Sequence, residues 1–237
     1  MKNIQIKFIA MYILGACNFY TCPFDGQVLI DHVKKSIHNA ALANSKINND
    51  VLDIEGYTSP KIKHFLNNIC SLIGASYLEI GVFRGSTFIS ALYNNTENLK
   101  QATAIDNWSE FGGPRQSFFN NVQKFLPQNS FIFYDVDCFQ FNIQQAFQNP
   151  VDIYFYDGNH ASRSQELAFT FYNNILANTF IAIIDDWAWA TVQEGTRSAF
   201  KKLNYNILYE QELLSRPEGS DKELWWNGLY VAVISKH

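Results

Sequence analysis

From residue 77 onward the chain alternates short apolar runs with helical stretches, and that order leaves few architectures open. Runs at 77–82, 102–106, 131–134, 151–157 and 180–185 read as strands, and helices fall at 86–93, 114–126, about 162–176 and about 192–203. Two late runs, near 207–209 and 228–234, complete the set. Strands that alternate with helices form parallel βαβ units with both faces of the sheet covered. Ligands of such sheets sit beyond the carboxyl ends of the strands. What stands at each strand's end is therefore where chemistry is to be sought.

The 237 residues suit one large α/β domain. A hydrophobic share of 47% against 17% charged excludes wholesale disorder, and 20 Phe with 12 Tyr predict a core built on rings. Eighteen basic residues against 22 acidic ones leave a net charge of −4, without any long Lys/Arg run. Nucleic acid is thus not an expected partner, and a small, neutral or separately anchored substrate is. Cys17, Cys22, Cys70 and Cys138 have neither zinc-ligand spacing nor the density of a disulfide framework. Cys70 and Cys138 read as buried small hydrophobes, which suits a reducing compartment.

Lys2 and Lys7 precede an apolar run, 8–16, that ends in Leu14-Gly15-Ala16-Cys17. A basic start, a short apolar segment and small residues make an export-signal pattern, and the last four residues resemble a bacterial lipoprotein cleavage box. The alternative is a segment packed on the domain, since a membrane-crossing helix needs about 20 residues. The expected location is cytoplasmic with no membrane partner; a lipoprotein anchored at Cys17 is the alternative. Residues 25–52 look helical, with Val28, Leu29, Ile30, Val33 and Ile37 near a 3.6 period, and the Asn-rich stretch 39–50 reads as a loop or loose boundary. Ser59-Pro60 starts a helix that carries Ile62, Phe65, Leu66 and Cys70 on one face. The expected division is an N-terminal helical extension, 1–54, with a signal-like segment 1–17, and a main domain, 55–237.

The first strand runs into Glu79-x-Gly81-x-x-x-Gly85, followed by Ser86 at a helix start. Glycines there allow a ligand close to the backbone, or serve turn geometry alone. Phe83 breaks the G-x-G-x-x-G pattern, so a dinucleotide pyrophosphate cradle is not supported. Asp106 ends the second strand, where a carboxylate can take a ribose diol or cap a turn; the glycine corner upstream favours the ribose. Asp137, after the third strand, is read as reaching an adenine amine or as a surface turn.

Asp157-Gly158-Asn159-His160 ends the fourth strand and Asp185-Asp186-Trp187 the fifth. Neighbouring strand ends lie about 5 Å apart, so three carboxylates would converge. Their repulsion calls for a proton or a cation, most simply Mg²⁺ held by Asp157, Asp185 and Asp186. His160 is the candidate general base, or a helix-start histidine bonded to backbone. For the acidic pair the plainer reading is one inward ligand and one N-cap. Trp108, Phe111, Trp187 and Trp189 follow strand ends as walls of a binding pocket or as core lids.

These residues resemble the class I S-adenosylmethionine-dependent methyltransferases, and the macrocin and novobiocin sugar O-methyltransferase branch in particular. The resemblance rests on "YLEIGVFRGSTFISAL", "AIDNW", "DCF", "DIYFYDGNHASRSQELAF" and "IAIIDDW", and covers roughly 55–234. It implies an α/β fold, a Rossmann-like doubly wound seven-stranded sheet with an antiparallel last strand and helices on both faces. S-adenosylmethionine would be held by Glu79, Gly81, Gly85, Ser86, Asp106, Asn107, Asp137 and Asp157. Mg²⁺ would sit on Asp157, Asp185 and Asp186, and methyl transfer to a hydroxyl would use His160 and Asp157. Asn159 stands where the sugar enzymes have a carboxylate base, so that role passes to His160. A nicotinamide oxidoreductase and a non-catalytic nucleoside-binding domain are the alternatives on the same architecture, and homo-oligomerisation is left open.

Overall fold

Asp25 opens the first helix, where its carboxylate accepts hydrogen bonds from the Gln27 and Val28 amides. The helix, α1 (Gly26–Ala41), buries Leu29, Val33, Ser36 and Ala40 along one face. The helical reading of 25–52 breaks after Ala41. A turn follows, and Asn48 caps a separate short helix, α2 (Asn49–Leu52). The Ser59-Pro60 start is borne out: Ser59 Oγ accepts from the Ile62 amide at 3.3 Å and Pro60 begins α3 (Pro60–Ile69). The structure, a computed structural model, describes residues 24–215 and 224–236, so the run 8–16 and Cys17 lie outside the described residues.

Alternation then follows the expected order: β1 (Ser76–Ile80), α4 (Ser86–Leu92), β2 (Gln101–Asp106), α5 (Arg115–Phe125) and β3 (Ile132–Asp135). The second half comprises α6 (Ile143–Ala146), β4 (Val151–Tyr156), α7 (Ser162–Thr170), β5 (Leu176–Ile184), α8 (Ala190–Lys202), β6 (Asn206–Leu213) and β7 (Leu229–Ser235). Helix α7 ends six residues short of the expected 176, because Asn173 and Asn174 occupy a turn and β5 begins at Leu176. Helix α6, capped by Asn142, was not foreseen.

The seven strands lie in the order β3-β2-β1-β4-β5-β7-β6. β1 to β5 pair in parallel, and β7 runs antiparallel to both β5 and β6, so the predicted Rossmann-like sheet is borne out. Side chains alternate between two cores. Tyr77, Phe155, Ile183 and Val231 face the layer of α1, α3, α4 and α5, while Leu78, Tyr154, Ala182 and Ala232 face α6, α7 and α8. Helix α1 thus shares a core with the sheet. Among the described residues no helix is long and apolar enough to cross a membrane.

Strand order reverses between β1 and β4, where Ile80 lies beside Ile105 on one flank and Tyr156 on the other. Connections diverge at such a point and leave a crevice at the strand ends.

Candidate active site

A cavity of about 540 Å³ opens at that crevice, within the range of about 300–1,000 Å³ for small-molecule sites. Its floor is the corner after β1. Gly81 has φ 87°, a conformation that favours glycine. Gly85, at φ 85°, precedes α4. Phe83 also takes a left-handed φ, 46°, so the backbone follows a glycine-like path there although the side chain is large.

Glu79 does not reach the cavity wall, contrary to expectation. Strand alternation turns it inward with Tyr77, where the Tyr77 hydroxyl and Thr87 Oγ1 each donate to it at 2.5 Å. Burial pushes its carboxyl up to about 8 against those two bonds. It supports the corner from beneath. Gly85 is likewise off the wall, whereas Gly81 and Ser86 are on it. The Ser86 hydroxyl is committed to the Ile54 carbonyl at 3.0 Å, which ties α4 to the N-terminal extension.

Asp106 lies on the wall and knots two loops together: one oxygen accepts from the Phe83 amide at 2.9 Å and the other from the Trp108 amide at 2.8 Å. Burial raises its pKa, while these amides pull it down. Carboxylate oxygens have further lone pairs, so a hydroxyl can still be bound. Asn107 accepts from the Ser109 amide at 3.1 Å, and Asp137 from the Phe139 amide at 2.9 Å; both line the cavity.

Across the cavity His160 Nε2 stands 2.6 Å from Asp186 Oδ2, and Asn227 Nδ2 donates to Asp186 Oδ1 at 2.7 Å. Asp186 raises the His160 pKa, while partial burial acts against it. The His160 ring lies 4.6 Å from that of Trp189. One ligand atom each from Asp157, His160 and Asp186 falls within 4.8 Å of the others. Asp157 carries the reverse of a cap: it meets no hydrogen-bond donor among the described residues, and burial together with Asp185, Asp186, Glu79 and Asp106 raises its pKa far above the usual carboxylate range.

Asp185 is absent from that group, a correction to the expected three-carboxylate set. Its amide continues the β4–β5 ladder to the Tyr156 carbonyl at 3.1 Å. The chain is still strand-like there, and Asp185 is turned inward, 3% exposed and off the cavity wall, with Oδ1 unpartnered. Asp186 then adopts φ 54° and faces the cavity. The four aromatic candidates also divide. Trp187 is core, stacked on Tyr230 at 4.2 Å; Trp108, Phe111 and Trp189 line the cavity. Tyr57, Glu110 and Asn227 line it too, and no sequence motif marked them. Tyr57 arrives from the segment before α3 and stacks on Phe83 at 5.1 Å.

Residues 78–187 match a protein family described as a methyltransferase domain, a span just under half of the chain. No curated protein matches the sequence. Among solved structures the fold is similar to SMU.776 complexed with S-adenosylhomocysteine, at TM-score 0.55 and 16% identity, covering 76% of this chain and 50% of that one. It is similar to the O-methyltransferase from Bacillus cereus in complex with S-adenosylhomocysteine, at TM-score 0.53 and 13% identity, covering 91% and 94%. It is also similar to TrmK of M. capricolum with the same cofactor product, at TM-score 0.50 and 18% identity, covering 73% and 67%. This chain spans half the length of SMU.776. The fold is like that of these solved methyltransferases, which hold S-adenosylhomocysteine. Residues 78–187, from within β1 to the turn beyond β5, are thus similar to a methyltransferase domain.

Proposed function

We propose that the chain moves a methyl group from S-adenosylmethionine to a hydroxyl of a small molecule, with His160 as the general base. The observation that carries this reading is that the Asp106 corner and the His160–Asp186 pair face one cavity from its two sides. The residues fit the methyl donor. Gly81 brings backbone to the cavity wall, Asp106 has acceptor capacity for a ribose diol, and Asp137 on the same wall is assigned to the adenine. When bound, S-adenosylmethionine supplies a methyl group made electrophilic by its sulfonium. The structures similar in fold that hold its product support this assignment.

The carboxylate of Asp186 only accepts hydrogen bonds, so it fixes the imidazole proton on Nε2. The lone pair is then on Nδ1, which takes the acceptor's hydroxyl proton, and Asp186 stabilises the imidazolium that forms. Holding the oxygen in line supplies much of the rate through orientation. Asp106, Glu110, Asp137, Asp157 and Asp186 line the cavity, whereas no lysine or arginine does among the described residues. Such a wall repels phosphate, which favours a small acceptor without anionic groups over RNA.

Mg²⁺ prefers near-octahedral oxygen ligands. The group that converges contains an imidazole nitrogen in place of the Asp185 oxygen, and both Asp186 oxygens already accept hydrogen bonds. The residues do not fit the expected Mg²⁺ site, and no step here uses it. The sugar-methyltransferase branch and a cytoplasmic location are retained as parts of this proposal. Calorimetry with S-adenosylhomocysteine and NAD tests the core of it: the first should bind and the second should not. Binding of NAD alone would overturn the reading in favour of an oxidoreductase.

A further inference from the structure

We propose that the methyl acceptor carries a positively charged amine beside its hydroxyl, and that Glu110 with the rings of Tyr57 and Phe111 selects for it. All three side chains line the cavity. Tyr57 is 60% exposed and Phe111 61%, so two large rings stay wet at the mouth of a site instead of joining a core. Their centroids lie 5.7 Å apart with the planes inclined at 57°, which makes a corner. A cation within about 6 Å of a ring centroid is attracted to the face of that ring. Glu110 precedes Phe111 and adds a carboxylate to the same stretch of wall. Among the described residues that carboxylate meets one donor, the neutral amide of Asn159 at 3.4 Å, and no lysine or arginine.

The loop after β2 holds these groups in place before an acceptor arrives. Asp106 takes the Trp108 amide, the Trp108 indole donates to the Phe83 carbonyl at 2.7 Å, and the Gly113 amide donates to the Glu110 carbonyl at 3.1 Å. Groups fixed beforehand bind with a smaller ordering cost. Glu110 is also close enough for its charge to act on His160, so an amine held by it lies next to the hydroxyl that His160 deprotonates. Arg84, in the corner after β1, and Arg115, at the start of α5, are paired with Glu55 and Asp135 and lie off the wall. Five carboxylates line the cavity. His160 offsets Asp186, and S-adenosylmethionine brings one net positive charge, so the wall stays acidic with the donor bound. The assignment of the cation to the acceptor rests on the proposed function, whereas the selection of cations by the cavity does not.

Matched probes separate charge from shape: tyramine against 4-propylphenol, which has a methyl group in place of the ammonium, and glucosamine against glucose. Ligand-observed NMR titration in EDTA, with and without S-adenosylhomocysteine, reads each affinity. In at least one pair the cation should bind at least about threefold tighter, the scale of an exposed ion pair joined to a cation–π contact. Added salt should narrow the gap, and the pair that responds reports whether the scaffold is a ring or a sugar. Glu110→Gln keeps an acceptor for Asn159 and should lose most of the preference while its affinity for S-adenosylhomocysteine is unchanged. Phe111→Leu should lose part of it. Glu97→Gln, the same change of charge off the cavity wall, should keep it. No preference in either pair, failure of both cations to bind, or an undiminished preference in Glu110→Gln would each overturn the proposal. Loss of the preference in Glu97→Gln would overturn it too, by assigning the effect to net charge. Selective binding of a cation without any binding of S-adenosylhomocysteine would leave the charge selection standing and sink the methyltransferase reading; binding of S-adenosylhomocysteine without a preference would do the reverse.

Discussion

The backbone of Asp157 closes over Gly81 so tightly that a Cβ on the glycine would stand 1.9 Å from the Asp157 carbonyl oxygen. The corner proposed to face the methyl donor and the strand end that carries the acidic wall are thus one packed unit. Gly81→Ala should cost about 2–5 kcal/mol, from a left-handed backbone and an overlap with main chain that cannot swing away. Gly112 also has a positive φ, 78°, but a Cβ there would meet nothing within 4 Å. Gly112→Ala should therefore cost about 1–2 kcal/mol, the conformational part alone. Urea denaturation of both variants checks the contrast, and equal losses would remove the steric argument.

Asp106→Ala is expected to weaken S-adenosylhomocysteine binding by about 1.5–3 kcal/mol, the scale of hydrogen bonds to a charged group. Because Asp106 also holds the Phe83 and Trp108 amides, the melting temperature should fall as well. Calorimetry reads the first effect and thermal denaturation the second. Unchanged affinity in a folded variant would exclude the ribose role.

Glu79 makes stability depend on pH. Its folded pKa is raised from an ordinary 4.5 to about 8, so between those values the native state holds a proton that the unfolded chain has released. The stabilisation is full below about pH 4.5 and is lost as pH rises through 8. Glu79→Gln keeps the shape and lacks the titration. The variant should match the wild type in melting temperature near pH 5 and exceed it near pH 8. A constant difference across that range would contradict the raised pKa.

With metals removed by EDTA, the His160 imidazole should titrate above its ordinary value of 6.5, because Asp186 favours the charged ring. In Asp186→Asn the titration should move to lower pH, which proton NMR of the ring would follow. A shift to higher pH would mean that Asp186 does not set the protonation of His160.

The sheet was legible because buried parallel strands must be apolar along most of their length, and the glycine and aspartate residues that end them break that run. Asp106, Asp137, Asp157 and His160 were legible for the same reason, each standing where a strand stops. Which of two adjacent acids faces the cavity was not. Asp185 and Asp186 project to opposite sides by strand alternation, and the choice depends on where β5 gives way to the turn at Asp186. Glu79 was misplaced by the same ambiguity at β1. Tyr57, Glu110 and Asn227 left no local signal, because distant parts of the chain bring them to the cavity. The extended reading of the first helix failed at Ala41 since apolar residues continue beyond it while the Asn-rich turn does not permit the helix to.

The matched domain, 78–187, holds the side of the cavity formed by Gly81, Asp106 and Asp137, while Tyr57 and Thr58 precede it and Trp189, Trp226 and Asn227 follow it. A fragment cut to the matched residues would keep the Gly81, Asp106 and Asp137 side and lose much of the opposite rim. The two rims are therefore separable parts of one design. On the proposed function, transplanting 56–58 and 226–227 from a protein of like fold would change acceptor preference while leaving the Gly81–Asp106–Asp137 side as it stands.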